Sequence, residues 1–570
     1  MKLMLLLIMA LPAVAQAQYY YTNSYGVWSY TPNNGPITIT GVTGIPDNGV
    51  VVIPDTINGY PVTSIGDSAF SYNFSLTNVT MGTNPTSIGN YVFIDCTGLT
   101  NVTIGTNVTS IGTNAFYYCT SLTSVTIPDS VTNIGDGVCD YCTNLTNIAV
   151  AGSNPDYISL GGVLFNHAKT TLLQFPCGVD GSYTVPDSVT SIEDDAFEGC
   201  PSLTSVTIPD SVTGIGDDAF FFSLSLTNVT IGTNVTSIGS YAFDSCLSLP
   251  SATIPDSVTN IGDGAFGVCS SLTNITVAAS NADYSSLDGV LFDQAKVTLL
   301  QFPGGLGGSY TIPDGVTSIG DYAFYYCSSL TNVTISDSVI NIGDNAFDYC
   351  SSLTNITIGT NVNIIGDAAF DYCSSLTSVT IPDSVTSIGD SVFSYCFSLS
   401  SVTIGSSVTS IGDFTFYYCS SLTSVTIPDS VTSIGDFAFE YCHSLTGVYF
   451  QGNSPTPTND LTVFSGEAPG TIYYLPDTTG WGTLFDGWPA MLLISNGAPF
   501  SISVSSVGVG AGGFGFTITG TNSEIVVVEA STNLTNWQPI QTNTLTGTSF
   551  NFSDPQWTNY SSRYYRLSSQ

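Results

Sequence analysis

Positive charge is almost absent from this chain. Of 570 residues, five are Lys or Arg against 43 Asp or Glu, and two are His, for a formal net charge of −38. So few cations cannot neutralise a phosphate track, which argues against nucleic acid as a partner and disfavours an anionic membrane surface. Charge of either sign is scarce: 8% of residues carry it, against about 25% in an ordinary soluble domain. With 43% hydrophobic residues the chain is nonetheless no disordered acidic tail. Beyond the N-terminus no run approaches the ~18 apolar residues of a membrane-spanning helix. The two histidines, His167 and His443, anchor neither a triad nor a zinc site: His443 takes a Ser position in a repeat, and His167 becomes Gln294 in a duplicated segment.

Met1-Lys2, an apolar run from Leu3 to Ala10 and Ala15-Gln16-Ala17 form the charged, apolar and A-x-A regions of a secretory signal peptide over residues 1–17. Its removal leaves Lys169, Lys296, Arg563 and Arg566 as the cations, with no membrane insertion expected after cleavage. Secretion from, or display on, a bacterial cell is the expected address.

What the chain has in abundance is repetition. Residues 422–444 read LTSVTIPDSVTSIGDFAFEYCHS, and fourteen such units register on an Ala-Phe step from Phe70 to Phe439, with Cys139 replacing one Phe. Leu-x-x-Val-x-Ile reads as a short strand with alternate residues inward, and Pro-Asp-Ser ends it because Pro has no N–H for a continuing ladder. Val-x-x-Ile is a second extended piece. Gly-Asp then turns the chain, with Asp expected to cap a short helical or 3₁₀ turn that carries Ala-Phe-x-x-Cys inward. One coil cannot bury its apolar side alone, but stacked coils bury a continuous core. Fourteen rungs predict a β-solenoid with a parallel sheet roughly 65 Å long.

Fourteen cysteines in a secreted chain would ordinarily suggest a disulfide framework. Here cysteine follows the Phe position by three residues in twelve of fourteen units, Asn73 and Ser223 being the exceptions. Equivalent atoms of a repeat stack, so this is a ladder. Its parallel Cβ vectors favour buried free thiols acting as small hydrophobes, the alternative being isolated disulfides between neighbouring rungs.

Units such as LTSVTIPDSVTSIGDFAFEYC resemble the bacterial leucine-rich repeats of the BspA type, over roughly residues 37–495. The resemblance implies a leucine-rich-repeat solenoid on a secreted or surface-exposed protein, with adhesion to matrix proteins, cells or surfaces. It fixes no ligand.

Two interruptions are copies of each other: SNPDYISLGGVLFNHAKTTLLQFP and SNADYSSLDGVLFDQAKVTLLQFP, within inserts near 151–182 and 278–309. Gly-Val-Leu-Phe and Leu-Leu-Gln-Phe around a polar turn read as a β-hairpin that either closes the solenoid edge or protrudes as a contact element. Residues 18–62 read as an N-terminal cap and 63–445 as the repeats. Residues 446–494 read as a closing segment in which Trp481 and Trp488 shield the last coil. From 495 to 570 alternating strands without cysteine, such as FGFTITG and IVVVEAS, suggest a small antiparallel β-sandwich, similar to C-terminal β-domains of large secreted bacterial proteins.

Three rows of side chains are candidate sites. Asp stands at the Gly-Asp turn in eleven of fourteen units, with a second Asp row after the strand. Carboxylates at strand spacing invite Ca²⁺, whereas turn capping towards solvent explains why Asn90, Thr113 and Ser240 can substitute. The strands carry Thr103, Thr126, Thr207, Thr230, Thr253, Thr334, Thr357, Thr380, Thr403 and Thr426, a neutral hydroxyl-rich face suited to glycan or protein contact, with hydroxyls expected to pair across rungs. Tyr118, Tyr326, Tyr349, Tyr372, Tyr395, Tyr418 and Tyr441 form an aromatic row, suited to packing on the next coil or to stacking on sugars.

The expected function is therefore non-enzymatic binding of an extracellular protein or carbohydrate, with no dedicated cofactor beyond possible Ca²⁺. The alternatives are a polysaccharide-degrading β-helix enzyme and a structural surface or matrix component. A lyase would need a Lys or Arg base, and the repeats hold only Lys169 and Lys296. A two-carboxylate hydrolase should break the repeat in one place, whereas these Asp recur in nearly every coil. Sequence leaves the oligomeric state open.

Overall fold

The computed structural model describes residues 18–33, 35–456, 462–466, 470–493, 501–510, 513–519, 525–532, 537–544, 549–559 and 564–569. The N-terminal pattern read as a signal peptide lies outside them.

Each repeat is one coil of a stack of sheets and turns. The Leu, Val, Ile, Ala, Phe and Cys positions point inward and are almost wholly buried from Trp28 to Trp488. The Phe position forms a column of rings at 4.5–5.6 Å, as in Phe324–Phe347 at 4.5 Å and Phe393–Phe416 at 5.6 Å. Trp28 abuts its first ring, Phe70, edge-on at 6.1 Å, and Trp488 stacks on its last, Phe464, at 4.5 Å. Indoles at both ends remove the apolar faces that an open stack would expose.

Two parallel sheets line the coils. Ser-Ile pairs such as Ser387–Ile388 and Ser410–Ile411 align in register across successive coils. The longer strands, such as Ser378–Thr380 and Ser401–Thr403, form the second sheet. Contrary to the expectation of one unbroken sheet, this second sheet parts wherever a Gly-type coil precedes a Pro-Asp-Ser coil, as between Ser401–Thr403 and Ser424–Ile427. The Gly is required by packing: a Cβ at Gly405 or Gly359 would collide with the carbonyl of Pro382 or Ser336 in the preceding coil. The chain therefore leaves the sheet after Thr403 in one coil and after Ile427 in the next.

The expected helical turn is not formed. The Ala-Phe segment is a run of tight turns in which the fourth-spaced residues, such as Tyr91 and Asp95, adopt φ of 56° and 57°. Its N–H groups alternate in use: Phe93 donates to Ala115 O of the next coil at 2.8 Å, and Ile94 to Tyr91 O of its own at 3.2 Å. An α-helix would direct all of them along its own axis and forfeit the bonds that join coils.

The twin inserts divide the stack into three cores, spanning Trp28 to Leu164, Val163 to Leu291, and Val290 to Trp488. Each insert is a hairpin, Val163–Asn166 with Thr171–Gln174 and Val290–Asp293 with Thr298–Gln301. Alternate residues of the first hairpin strand serve opposite sides: Leu164 packs into the first core, Val163 and Phe165 into the second. The hairpins are thus seals between blocks. The shared Ser-Asn-x-Asp-Tyr motif ties each to the coil before it. Asn154 Nδ2 donates to Pro128 O and Val131 O at 2.7 and 2.9 Å, and the Tyr157 hydroxyl accepts the Ile134 N–H at 3.0 Å where the Ser-Ile sheet stops. Asn281 and Tyr284 repeat both contacts.

At the C-terminal end, Ser501–Gly510, Gly513–Thr519 and Ser549–Asp554 form one antiparallel sheet, and Ile525–Ser531, Gln538–Thr544 and Tyr564–Ser569 another. Phe516, Ile518 and Phe552 from the first meet Val526 and Val528 from the second in one small core, a β-sandwich arrangement.

Candidate functional site

All ten threonines of the strand face are exposed. Their hydroxyls do not pair across rungs as expected: among the described residues none of the ten makes a side-chain hydrogen bond. Two other threonine rows behave differently. Thr109 Oγ1 donates to Thr86 O at 3.0 Å and Thr432 Oγ1 to Thr409 O at 3.2 Å, while Thr354 Oγ1 donates to Thr331 O at 3.0 Å. Those hydroxyls are spent on holding coils together, whereas the face row keeps its donors and acceptors for solvent or a ligand. Two grooves lie along that row where a Pro-type or Ser-type coil meets a Gly-type one. One, of about 560 Å³, runs beside Thr357, Thr380 and Thr403 over Ile356, Ile381 and Ile404. The other, of about 490 Å³, flanks Thr207 and Thr230. Hydroxyls over an aliphatic floor suit a neutral partner that presents both polar and apolar surface.

The Asp rows are not capped into solvent within their own coils. Asp367 Oδ1 accepts the N–H of Asp390 at 2.8 Å, Asp390 that of Asp413 at 2.8 Å, and Asp413 that of Asp436 at 2.7 Å. Each carboxylate therefore receives the amide of the equivalent residue one coil on. Asn90 performs the same task for Thr113 at 3.0 Å, which explains its presence in the row. In the second row Asp210 accepts both the N–H and the hydroxyl of Thr233, and Asp337 those of Thr360.

The tyrosines stack at 4.2 Å for Tyr326–Tyr349, 4.3 Å for Tyr349–Tyr372 and 4.2 Å for Tyr372–Tyr395. Ring faces are used up within the row, leaving edges outward. Tyr326, the first ring of the row after the second insert, opens onto a pocket of about 210 Å³ at the second seam, walled by Phe221, Phe222, Leu224, Val268 and Tyr325, with Asp244 and Ser245 as its polar groups. Sequence reasoning missed this pocket because its walls come from both sides of an insert.

Twelve cysteines are free and buried, and one pair, Cys177–Cys200, is a disulfide with Cα atoms 4.3 Å apart. Cys177 lies in the insert, 23 residues before Cys200, so this bond is an isolated disulfide between neighbouring rungs, the alternative held open above. The free thiols of the ladder point to the preceding coil's Phe carbonyl, Cys96 Sγ to Phe70 O at 3.1 Å and Cys373 Sγ to Phe347 O at 3.3 Å. Ser223 makes the same bond, to Phe197 O at 3.1 Å, so the position selects a small buried donor. Burial pushes the Cys96 thiol up to about 12 and holds those of Cys350 and Cys373 well above their ordinary value, which leaves them unreactive as nucleophiles.

Also missed was a cluster at the first seam, Asp140, Asp195 and Glu198, whose carboxylates lie within 4.8 Å of one another. A signal for it existed. The unit Ile-Glu-Asp-Asp-Ala-Phe-Glu-Gly-Cys at 192–200 replaces the usual Gly-Asp with Glu193-Asp194 and carries four acids, and the unit before the insert has Cys139 in place of Phe.

With this geometry in hand, comparison with known proteins gives a coherent result. The BspA type leucine rich repeat region model matches in six copies, over residues 63–181, 177–294, 308–419 and 390–461. No curated protein matches the chain. Among solved structures, a leucine-rich cell surface protein from Faecalibacterium prausnitzii is 29% identical, covering 74% of this chain and 95% of its own, with a TM-score of 0.41. The pneumococcal vaccine antigen PcpA is 19% identical over 80% of this chain and 94% of its own, TM-score 0.43. A leucine-rich repeat protein from Bacteroides ovatus is 24% identical over 76% and 94%, TM-score 0.33. On the extent of the family match and the coil geometry that goes with it, this chain belongs to the BspA-type leucine-rich-repeat family.

Proposed function

We propose that the chain works outside the cell as a non-catalytic binding protein, engaging a neutral extracellular protein or glycan through the threonine face of its solenoid. The observation that carries this reading is the division of labour among threonines. Two rows spend their hydroxyls on the neighbouring coil, while ten exposed ones keep theirs, in register, beside grooves floored by isoleucine. Acid lies at the turns and groove rims, so a hydrogen-bonding partner fits better than a strongly basic one. The surface address draws support from the N-terminal signal-like pattern and from a relative described as a cell surface protein.

The test is binding of the chain from residue 18 to glycan and matrix-protein arrays, beside the triple variant Thr357→Val, Thr380→Val, Thr403→Val. Valine keeps shape and strand preference and removes only the hydroxyl. The variant should lose at least tenfold in affinity while unfolding at the same temperature. Equal binding by both would overturn the role of this face. Turnover of a polysaccharide would instead establish the β-helix enzyme, and binding to nothing would favour a structural surface or matrix component.

A further inference from the structure

The first seam differs from every other place in the stack, and the cause lies in the insert. Between Leu172 and Phe175 it has two residues where a full coil such as Ile192–Phe197 has four, so the coil omits its Asp-turn. Its Phe175 still joins the column, donating its N–H to Ala196 O at 2.7 Å and stacking on Phe197 at 4.9 Å. A gap opens on the turn edge, and Asp140 from the coil before meets Asp195 and Glu198 from the coil after.

The three carboxylates offer oxygens within 4.8 Å of one another. Asp140 is fully buried and Glu198 nearly so, at 8% exposure. Gln174 Nε2 donates to Asp140 Oδ1 at 2.9 Å. Asp140 Oδ2, however, is buried without a partner, and so is a fourth oxygen, Asn114 Oδ1. Both border Gly137, where a Cβ would strike the two of them; the glycine, at φ 62°, keeps that space open. Among the described residues no Lys or Arg forms an ion pair with any of the three acids.

Burying three carboxyl groups together with no cation to balance their charge is costly. The donor set is oxygen only, three carboxylates and an amide, which is the chemistry of a hard cation. Separations of up to 4.8 Å fall within the span across one Ca²⁺, whose opposite oxygens stand ~4.6–5.2 Å apart. The second seam, built by the twin insert, has Gly267 and Tyr325 at the places of Asp140 and Glu198, and closes with aromatic rings around its pocket.

We infer that the first seam is a binding site for a divalent cation of the calcium class, held by Asp140, Asp195 and Glu198 with the amide oxygen of Asn114. Bound there, the ion bridges the first and second blocks of the solenoid, independently of what the threonine face binds.

Tb³⁺, a luminescent substitute for Ca²⁺, tests this on the full chain. Tyr117 and Tyr141 meet edge-to-face with centroids 5.2 Å apart beside the cluster, and the Tyr141 ring lies against Gly199, next to Glu198. Excitation of tyrosine should therefore give saturable Tb³⁺ emission that Ca²⁺ displaces. Glu198→Gln should weaken Tb³⁺ at least tenfold and abolish any rise in unfolding temperature produced by Ca²⁺. Should Glu198→Gln fail to fold, Asp195→Asn, at a partly exposed position, carries the same test. Absence of saturable emission up to millimolar Tb³⁺ would overturn the site. Equal affinity in the folded variants would do so too, by placing the ion on the Asp rows.

Discussion

Asp390 is where the reading of the acidic rows can be refuted most directly. Its Oδ1 receives the Asp413 N–H at 2.8 Å, and its own N–H goes to Asp367 at 2.8 Å. Two opposing terms follow. The carboxylate supplies an inter-coil hydrogen bond of about 1 kcal/mol, modest because the site is exposed. It also faces like charges one coil away on either side. At ~5 Å in water each such pair costs ~0.8 kcal/mol, roughly halved at physiological ionic strength. Asp390→Asn keeps the acceptor and removes the charge, whereas Asp390→Ala removes both. The difference between the two variants isolates the hydrogen bond, and the difference between wild type and Asn isolates the charge.

The expected order of stability is then Asn at or slightly above Asp, with Ala about 1 kcal/mol below Asn. In a cooperative block of about 200 residues that difference is roughly 2–4 °C of unfolding temperature. Calorimetry at low and high salt should show the gap between Asp and Asn shrinking with salt and the gap between Asn and Ala unchanged. Equal stability of Asn and Ala would refute the amide-acceptor role. A rise in wild-type stability with millimolar Ca²⁺ that Asp390→Asn removes would show that the row binds calcium instead.

Two further outcomes follow from burial. Desolvation raises the Asp371 carboxyl from 3.8 to about 7, against hydrogen bonds from Ser394 and the Tyr372 amide that favour its charged form. Its folded value lies above its unfolded one, so the stability it contributes is complete below about 3.8 and is lost as pH rises through about 7. Asp371→Asn should therefore leave stability unchanged at pH 3.5 and raise it at pH 8, by up to ~4 kcal/mol; a pH-independent effect would contradict the assignment. The twelve free thiols should resist a thiol reagent at pH 8 in the native chain and all react once it is unfolded. Rapid native labelling of the ladder would contradict the buried, proton-donating geometry.

Much of this fold is visible before any coordinates, because a strict period translates directly into stacking. Inward positions such as Leu422, Val425, Ile427, Phe439 and Cys442 follow from their spacing alone. The division of labour within the rows does not. Thr409 and Thr403 are the same residue type six positions apart, yet one bonds Thr386 O and the other keeps its hydroxyl, which depends on where each Cβ points relative to the next coil. The Asp turn shows the same limit. Capping preference identifies the residue type, but only the stack shows that the amide it accepts belongs to the following coil. Asp140 and Glu198 are 58 residues apart and meet because the coil between them is short, a relation no local pattern carries.

The twin inserts separate what the fold demands from what it leaves free. Both hairpins use the same Asn and Tyr contacts, and bury the same Leu and Phe positions, to seal one block to the next. The differences that set the two seams apart lie mainly in the coils on either side. Where Asp140 and Glu198 flank the shortened coil, the oxygens of three carboxylates converge; where Gly267 and Tyr325 flank it, rings wall a pocket of about 210 Å³. Neither difference alters a strand or its register. A stack of identical coils gives every coil the same surface, and a shortened coil is one of the few places where side chains from both neighbours can face each other. Local chemistry in this solenoid is therefore confined to its seams, while the uniform threonine face is suited to recognition spread along its length.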